Sequence, residues 1–108
     1  MSGINDREKA EEARFAHNEE LEFKANARRN KLLGLWAADL MGLSGQAADD
    51  YARSVIVADF EEAGDDDVFR KIRADLDAKS INQSDHQIRR QMDDLLGIAR
   101  EQVRTEIR

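Results

Sequence analysis

Residues 21–45 read LEFKANARRNKLLGLWAADLMGLSG, and this stretch decides the fold. Leu21, Ala25, Leu32, Trp36, Leu40 and Leu43 fall on one broad helical stripe, with Leu33 and Leu35 at its flanks. Apolar residues recurring every three to four positions mark a helix with one face turned to a core. Gly42 ends the run, because a glycine just past the last periodic residue supplies a helix stop at low conformational cost. Upstream, nothing breaks the helix before about Asn5. A helix from there to Met41 would measure about 55 Å, longer than a small domain is wide.

Before Leu21 the stripe dissolves. Ile4 and Phe15 point the same way at helical spacing, but Glu8, Glu11 and Asn18 lie around the line between them. Ion pairs at i,i+3 or i,i+4 take over: Asp6/Lys9, Arg7/Glu11, Lys9/Glu12 and Glu11/Arg14. Each adds about 0.2–0.5 kcal/mol to an isolated helix, too little to order one alone. Residues 1–20 are therefore expected to be an arm, flexible or marginally helical, and residues 21–108 a globular domain.

Downstream, Ser44 is placed to cap a second helix carrying Ala48, Tyr51, Ala52, Val55, Ile56 and Phe60, with Gly64 as its stop. Asp65, Asp66 and Asp67 suit the positive end of a third, short helix with Val68, Phe69, Ile72 and Leu76, ending near Lys79. Ser84-Asp85-His86-Gln87 is a capping box, in which Ser84 and Gln87 satisfy each other's backbone amides. It opens a fourth helix along Ile88, Met92, Leu95, Leu96, Ala99 and Val103. Short connections favour antiparallel neighbours. The expected fold is all-α: a four-helix bundle with a long first helix whose N-terminal part is a mobile arm.

Composition agrees. The chain has 108 residues, enough for one domain with a thin margin of stability. It contains no proline, and hydrophobic (41%) and charged (37%) residues are nearly balanced, too apolar for a disordered chain and too charged for a thick sheet core. There is no cysteine, which excludes disulfides and thiolate metal sites. No apolar run approaches a bilayer span, and MSGINDREKAEE has no apolar core for a secretory signal, so a cytoplasmic protein is expected. Residues 32–64 hold six acids against the single base Arg53, and neither flank carries a basic stripe. Nucleic acid is a poor partner for such a surface.

Catalytic chemistry is poorly represented. His17 sits in the charged arm, where a solvated role is favoured over tuning of an interface near neutral pH, and His86 in a helix's first turn; neither completes a metal set. The carboxylates of Asp49-Asp50, Asp65–Asp67 and Asp93-Asp94 lack surroundings that would split their pKa values for acid–base work. Gly42, Gly45, Gly64 and Gly97 precede no Lys-Ser or Lys-Thr pair, so no phosphate loop is present. Arg28-Arg29-Asn30-Lys31 reads as a solvated helix face, with contact to an acidic partner as the second reading. Trp36 is read as core packing. No catalytic residue, cofactor or metal is expected; a binding module is.

FAH (15–17) leading to FKA (23–25), ARRNKLLGLWAADLMGLSG (27–45), ADFEEAGDDDVFRKIRADL (58–76) and SDHQIRRQMDDLL (84–96) together resemble the zeta-subunit family. Its members are inhibitors of the alphaproteobacterial F-type ATP synthase. The resemblance implies a four-helix fold, a partner in the catalytic head (alpha, beta and gamma subunits), and block of ATP hydrolysis by an N-terminal arm falling on residues 1 to about 19. The protein would then be peripheral on the cytoplasmic face of the membrane when bound, and a monomer when free. On this reading Ile4 and Phe15 are apolar anchors, and Asp6, Arg7, Lys9, Glu12 and Arg14 supply polar contacts that set register. Glu11 stands where many relatives carry an aromatic residue, so a weaker grip is expected. The competing expectations are a helical adaptor using a bundle face, and a regulator sensing adenine nucleotide.

Overall fold

The computed structural model describes residues 3–59 and 65–106, the side chains of residues 3–18 excepted. Among these residues lie four helices: α1 (Gly3–Leu40), α2 (Gly45–Ala58), α3 (Asp66–Ala78) and α4 (Asp85–Glu106). The all-α expectation holds. The 38 residues of α1 span about 57 Å, which accounts for overall dimensions of 66 × 25 × 21 Å.

Local chemistry sets the helix ends. Gly42 takes φ +77°, and the amides of Gly42 and Leu43 turn back to the carbonyls of Asp39 (3.1 Å) and Ala38 (2.8 Å). This Schellman pairing satisfies two carbonyls that would otherwise be orphaned. The end of α3 is built the same way, with the Ser80 and Ile81 amides donating to Asp77 (3.0 Å) and Leu76 (2.9 Å), yet the left-handed position (φ +57°) is a serine. A side chain there is strained by roughly 1 kcal/mol. Ser80→Gly is accordingly expected to raise stability by about 0.5–1 kcal/mol, seen as a higher denaturant midpoint at unchanged slope.

The capping box of α4 is complete: the Ser84 amide donates to Gln87 Oε1 (2.8 Å), and the Gln87 amide to Ser84 Oγ (3.1 Å). At α2 the expectation was only half right. Ser44 is extended as an N-cap should be, but its hydroxyl makes no capping hydrogen bond. Phe60 and Gly64 lie outside the described residues.

The core gathers Leu33 and Ala37 from α1, Val55 from α2, Val68, Ile72 and Leu76 from α3, and Ile88 and Met92 from α4. Trp36, Leu40, Tyr51, Phe69 and Leu95 pack around it, which bears out Trp36 as a packing residue. The stripe on α1 is rotated from its sequence reading. Its centre is Ala25, Arg29, Leu33 and Ala37, all but fully buried, whereas Leu32, Trp36 and Leu40 are only half-buried at its edge. The reason is tertiary: α1 packs broadly against both α2 and α4, so its most buried line is the one between two partners rather than the most apolar one.

Ion pairs fix the topology. Asp75 of α3 accepts from the Tyr51 hydroxyl of α2 (2.7 Å) and from Lys71 (3.0 Å), while Asp59 at the end of α2 lies near Asp65 and Asp67. Arg73 reaches Asp85 (3.1 Å) and Arg89 reaches Asp66 (2.9 Å), so α3 and α4 are antiparallel too. Arg89 also stacks on the Phe69 ring at 4.1 Å. The bundle is up-down-up-down, as short connections dictate.

Candidate partner-binding site

The run Arg28-Arg29-Asn30-Lys31 is a solvated face only in part: Lys31 is exposed and Arg28 half-buried. Arg29 and Asn30 are each only 1% exposed. Arg29 Nε donates to Asn30 Oδ1 (2.7 Å), and its guanidinium reaches Asp65 (2.8 Å) at the start of α3. A helix-surface motif has become an interior clamp because the α2–α3 connection brings Asp59, Asp65 and Asp67 over it. The Asp65–Asp67 cluster thus does more than complement the helix dipole. Asp65 holds Arg29, Asp66 holds Arg89, and Asp67 is buried with Oδ1 accepting the Val68 amide.

Burial pushes the Asp59 carboxyl above its ordinary value; the Asp67 and Asp65 charges add to this, and Asn30 and Arg29 oppose it. The Asn30 NH2 group faces Asp59 without closing a well-aligned hydrogen bond. A carboxyl with a raised folded-state pKa opposes folding once it is ionised, so its cost is present at neutral pH and vanishes below the unfolded-state value. Asp59→Asn is therefore expected to raise the unfolding free energy at pH 7. The difference from the parent chain should shrink steadily as the pH is lowered to 3, measured by urea titration at each pH.

Where α1 enters the bundle, two bidentate pairs hold it to α4. Arg100 grips Glu22 (2.7 and 3.1 Å), and Arg28 grips Glu106 (2.8 Å twice) while also reaching Gln102 (2.9 Å). The hydrogen bonds raise the pKa of both arginines and lower that of Glu106. Exposed pairs contribute little stability singly, but paired fork contacts fix geometry. Here they fasten α1 to α4 near the point where its upstream half leaves the bundle.

Ile4, Asp6, Arg7, Lys9, Glu12, Arg14 and Phe15 all belong to the first half of α1; their side chains, like that of His17, lie outside the described residues. His86 is exposed. Among the described residues no three His, Cys, Asp or Glu side chains are grouped to hold a metal, and no helix is long and apolar enough to cross a membrane. Among the described residues, the exposed large apolar side chains are Phe23 (63%), Val57 (57%) and Ile98 (49%). Phe23 was not singled out as a site from the sequence. The available signal was its position off the apolar stripe in a helix that otherwise sorts its faces.

These features define a class of protein: a small helical binding module whose long first helix extends out of its bundle. The profile of the family described as ATPase inhibitor subunit zeta matches residues 1–102. A solved solution NMR structure is 46% identical, covers 80% of this chain and 98% of its own chain, and superposes with a TM-score of 0.71. A comparison with curated protein sequences gives no match. The chain belongs to the ATPase inhibitor subunit zeta family. It is an inhibitor subunit interacting with F-type ATP synthase, a regulatory protein and not an enzyme.

Proposed function

We propose that residues 1–19 enter a catalytic subunit interface of the synthase head as a helix and block rotation in the hydrolytic cycle, while residues 21–108 stay outside as an anchor. The observation that carries this reading is the length of α1: 38 residues, against 14, 13 and 22 in the other helices. Its described ties to the rest of the bundle begin at Glu22. A segment that is already helical loses less entropy on entering a groove than one that must order from coil. Any ordering cost that remains lowers affinity.

Ile4 and Phe15 are the apolar anchors on this reading, with Asp6, Arg7, Lys9, Glu12 and Arg14 setting register. Alpha, beta and gamma subunits are the contacted partners, on the cytoplasmic side of the membrane, and the free protein is a monomer. The test is the ATPase rate of the isolated head with the full chain and with a chain lacking residues 1–19. The full chain is expected to inhibit and the truncated one to lose inhibition; full inhibition by the truncated chain would overturn the mechanism.

A further inference from the structure

We propose that Phe23 and Ile56, with Lys24 and Lys31 beside them, form a second contact surface for the same synthase head; this rests on the reading that the head receives the arm. Phe23 is an aromatic residue left largely in water, although removing so large an apolar side chain from water is favourable. The reason it stays exposed is geometric. Positions 23, 27, 30 and 34 follow one another up the side of α1 that meets α2. α2 covers Asn30 and Gly34 but ends at Ala58, so the same line runs out uncovered at Phe23. Phe23, Ala27 and the half-buried Ile56 line two adjoining shallow recesses there.

The occupant is set by continuity. α1 is unbroken from Gly3 to Leu40, and residue 19 lies only four positions from Phe23, about 6 Å along the axis. A protein wall that encloses the helix up to residue 19 arrives within side-chain reach of Phe23. Charge adds the second argument. Among the described residues Lys31, which lines the recess, has no carboxylate partner, and Lys24 pairs with Glu20 of its own helix (3.1 Å). Glu106, the acid on that recess, is neutralised by Arg28. On a chain of net charge −6 this leaves Lys31 as an unneutralised cation on one side of an apolar spot that Asp59 borders on the other. It fits a ledge at the groove mouth that offers an apolar contact edged by carboxylates.

The experiment uses the full chain and the isolated head, reading the concentration for half-inhibition of ATP hydrolysis together with the melting temperature. Phe23→Ser is expected to raise that concentration roughly tenfold with the melting temperature unchanged, as loss of an aromatic anchor does, and Phe23→Leu to restore most of the potency. Lys31→Glu should weaken inhibition at low salt, and its effect should fade as salt rises. If Phe23→Ser and Lys31→Glu both inhibit like the parent chain, the surface is not a contact, and the arm reading stands. If the parent chain itself does not inhibit, the arm reading fails and this inference with it.

Discussion

Replacing Arg29 by alanine is expected to lower the unfolding free energy by about 2–4 kcal/mol, a large part of what a domain of this size possesses. The guanidinium is 1% exposed, so truncation empties a space that the neighbouring helices cannot wholly refill. Asn30 Oδ1 loses the donor at 2.7 Å, and a buried acceptor left unpaired costs about 1–3 kcal/mol. Asp65 matters less, because its side chain is half in water (51%) and is rehydrated once Arg29 is gone. Arg29→Met separates the effects. It restores most of the volume while removing the donors and the charge, and is expected to cost only about half as much. It should also move the Asp59 carboxyl further upward, since Arg29 is one of the groups holding it down. Chemical denaturation of the three proteins, with carboxyl titration followed by NMR, reads all of these outcomes.

The second large effect is expected at Gly34, and there its sign is the informative part. Glycine within a helix normally gives way to alanine with a gain of about 1 kcal/mol. Here a Cβ would lie 2.6 Å from the Ala52 Cα, 3.1 Å from its Cβ and 3.2 Å from Val55 Cγ2. The first contact is with backbone, so α2 itself must move, and overpacking of this kind costs about 1–3 kcal/mol. Because α2 also carries Val55 into the core and brings Asp59 to Asn30, the displacement spreads. Gly34→Ala should therefore destabilise by about 2 kcal/mol, lowering the melting temperature by roughly 10 °C. Adding Ala52→Gly relieves the methyl contact but not the one with Cα, so the double variant should remain well below the parent chain. Full rescue would mean that α1 and α2 do not approach as closely as described.

Gly34 also shows where reading the sequence stopped. The glycines at turns were legible, because turn chemistry is local and Gly42 has no helix to continue. Gly34 sits amid leucines with no turn around it. A glycine that lowers helix propensity without ending the helix signals close approach, but not of which partner. Arg29 and Asn30 failed for a related reason. A charged tetrapeptide is nearly always solvated, and only the return of the chain at Asp65 supplies the acid that makes burial tolerable. Leu33 and Leu32 exchanged importance because a single helix's periodicity defines a broad face, while its midline depends on the angle at which two other helices arrive.

The candidate site divides along the same boundary. The candidate anchors on the arm came from the sequence, through local patterns and family resemblance. Phe23 came from the fold: that a phenylalanine at this position remains exposed depends on where α2 ends relative to α1.

The sequence by itself determined the helical class, the approximate positions of the four helices apart from the end of the second, the capping box at Ser84 and the stop at Gly42. Each follows from interactions among residues within a few positions of one another, and such interactions are encoded wherever the segment lies. Tertiary structure alone decided which side of α1 is innermost, that Arg29 is interior, that Gly34 is a crossing point, and that Phe23 is left in water. Those outcomes depend on contacts between residues far apart in the chain, such as Arg29 with Asp65, Gly34 with Ala52 and Arg100 with Glu22. No pattern within one segment contains them, because packing is a property of the surfaces that meet.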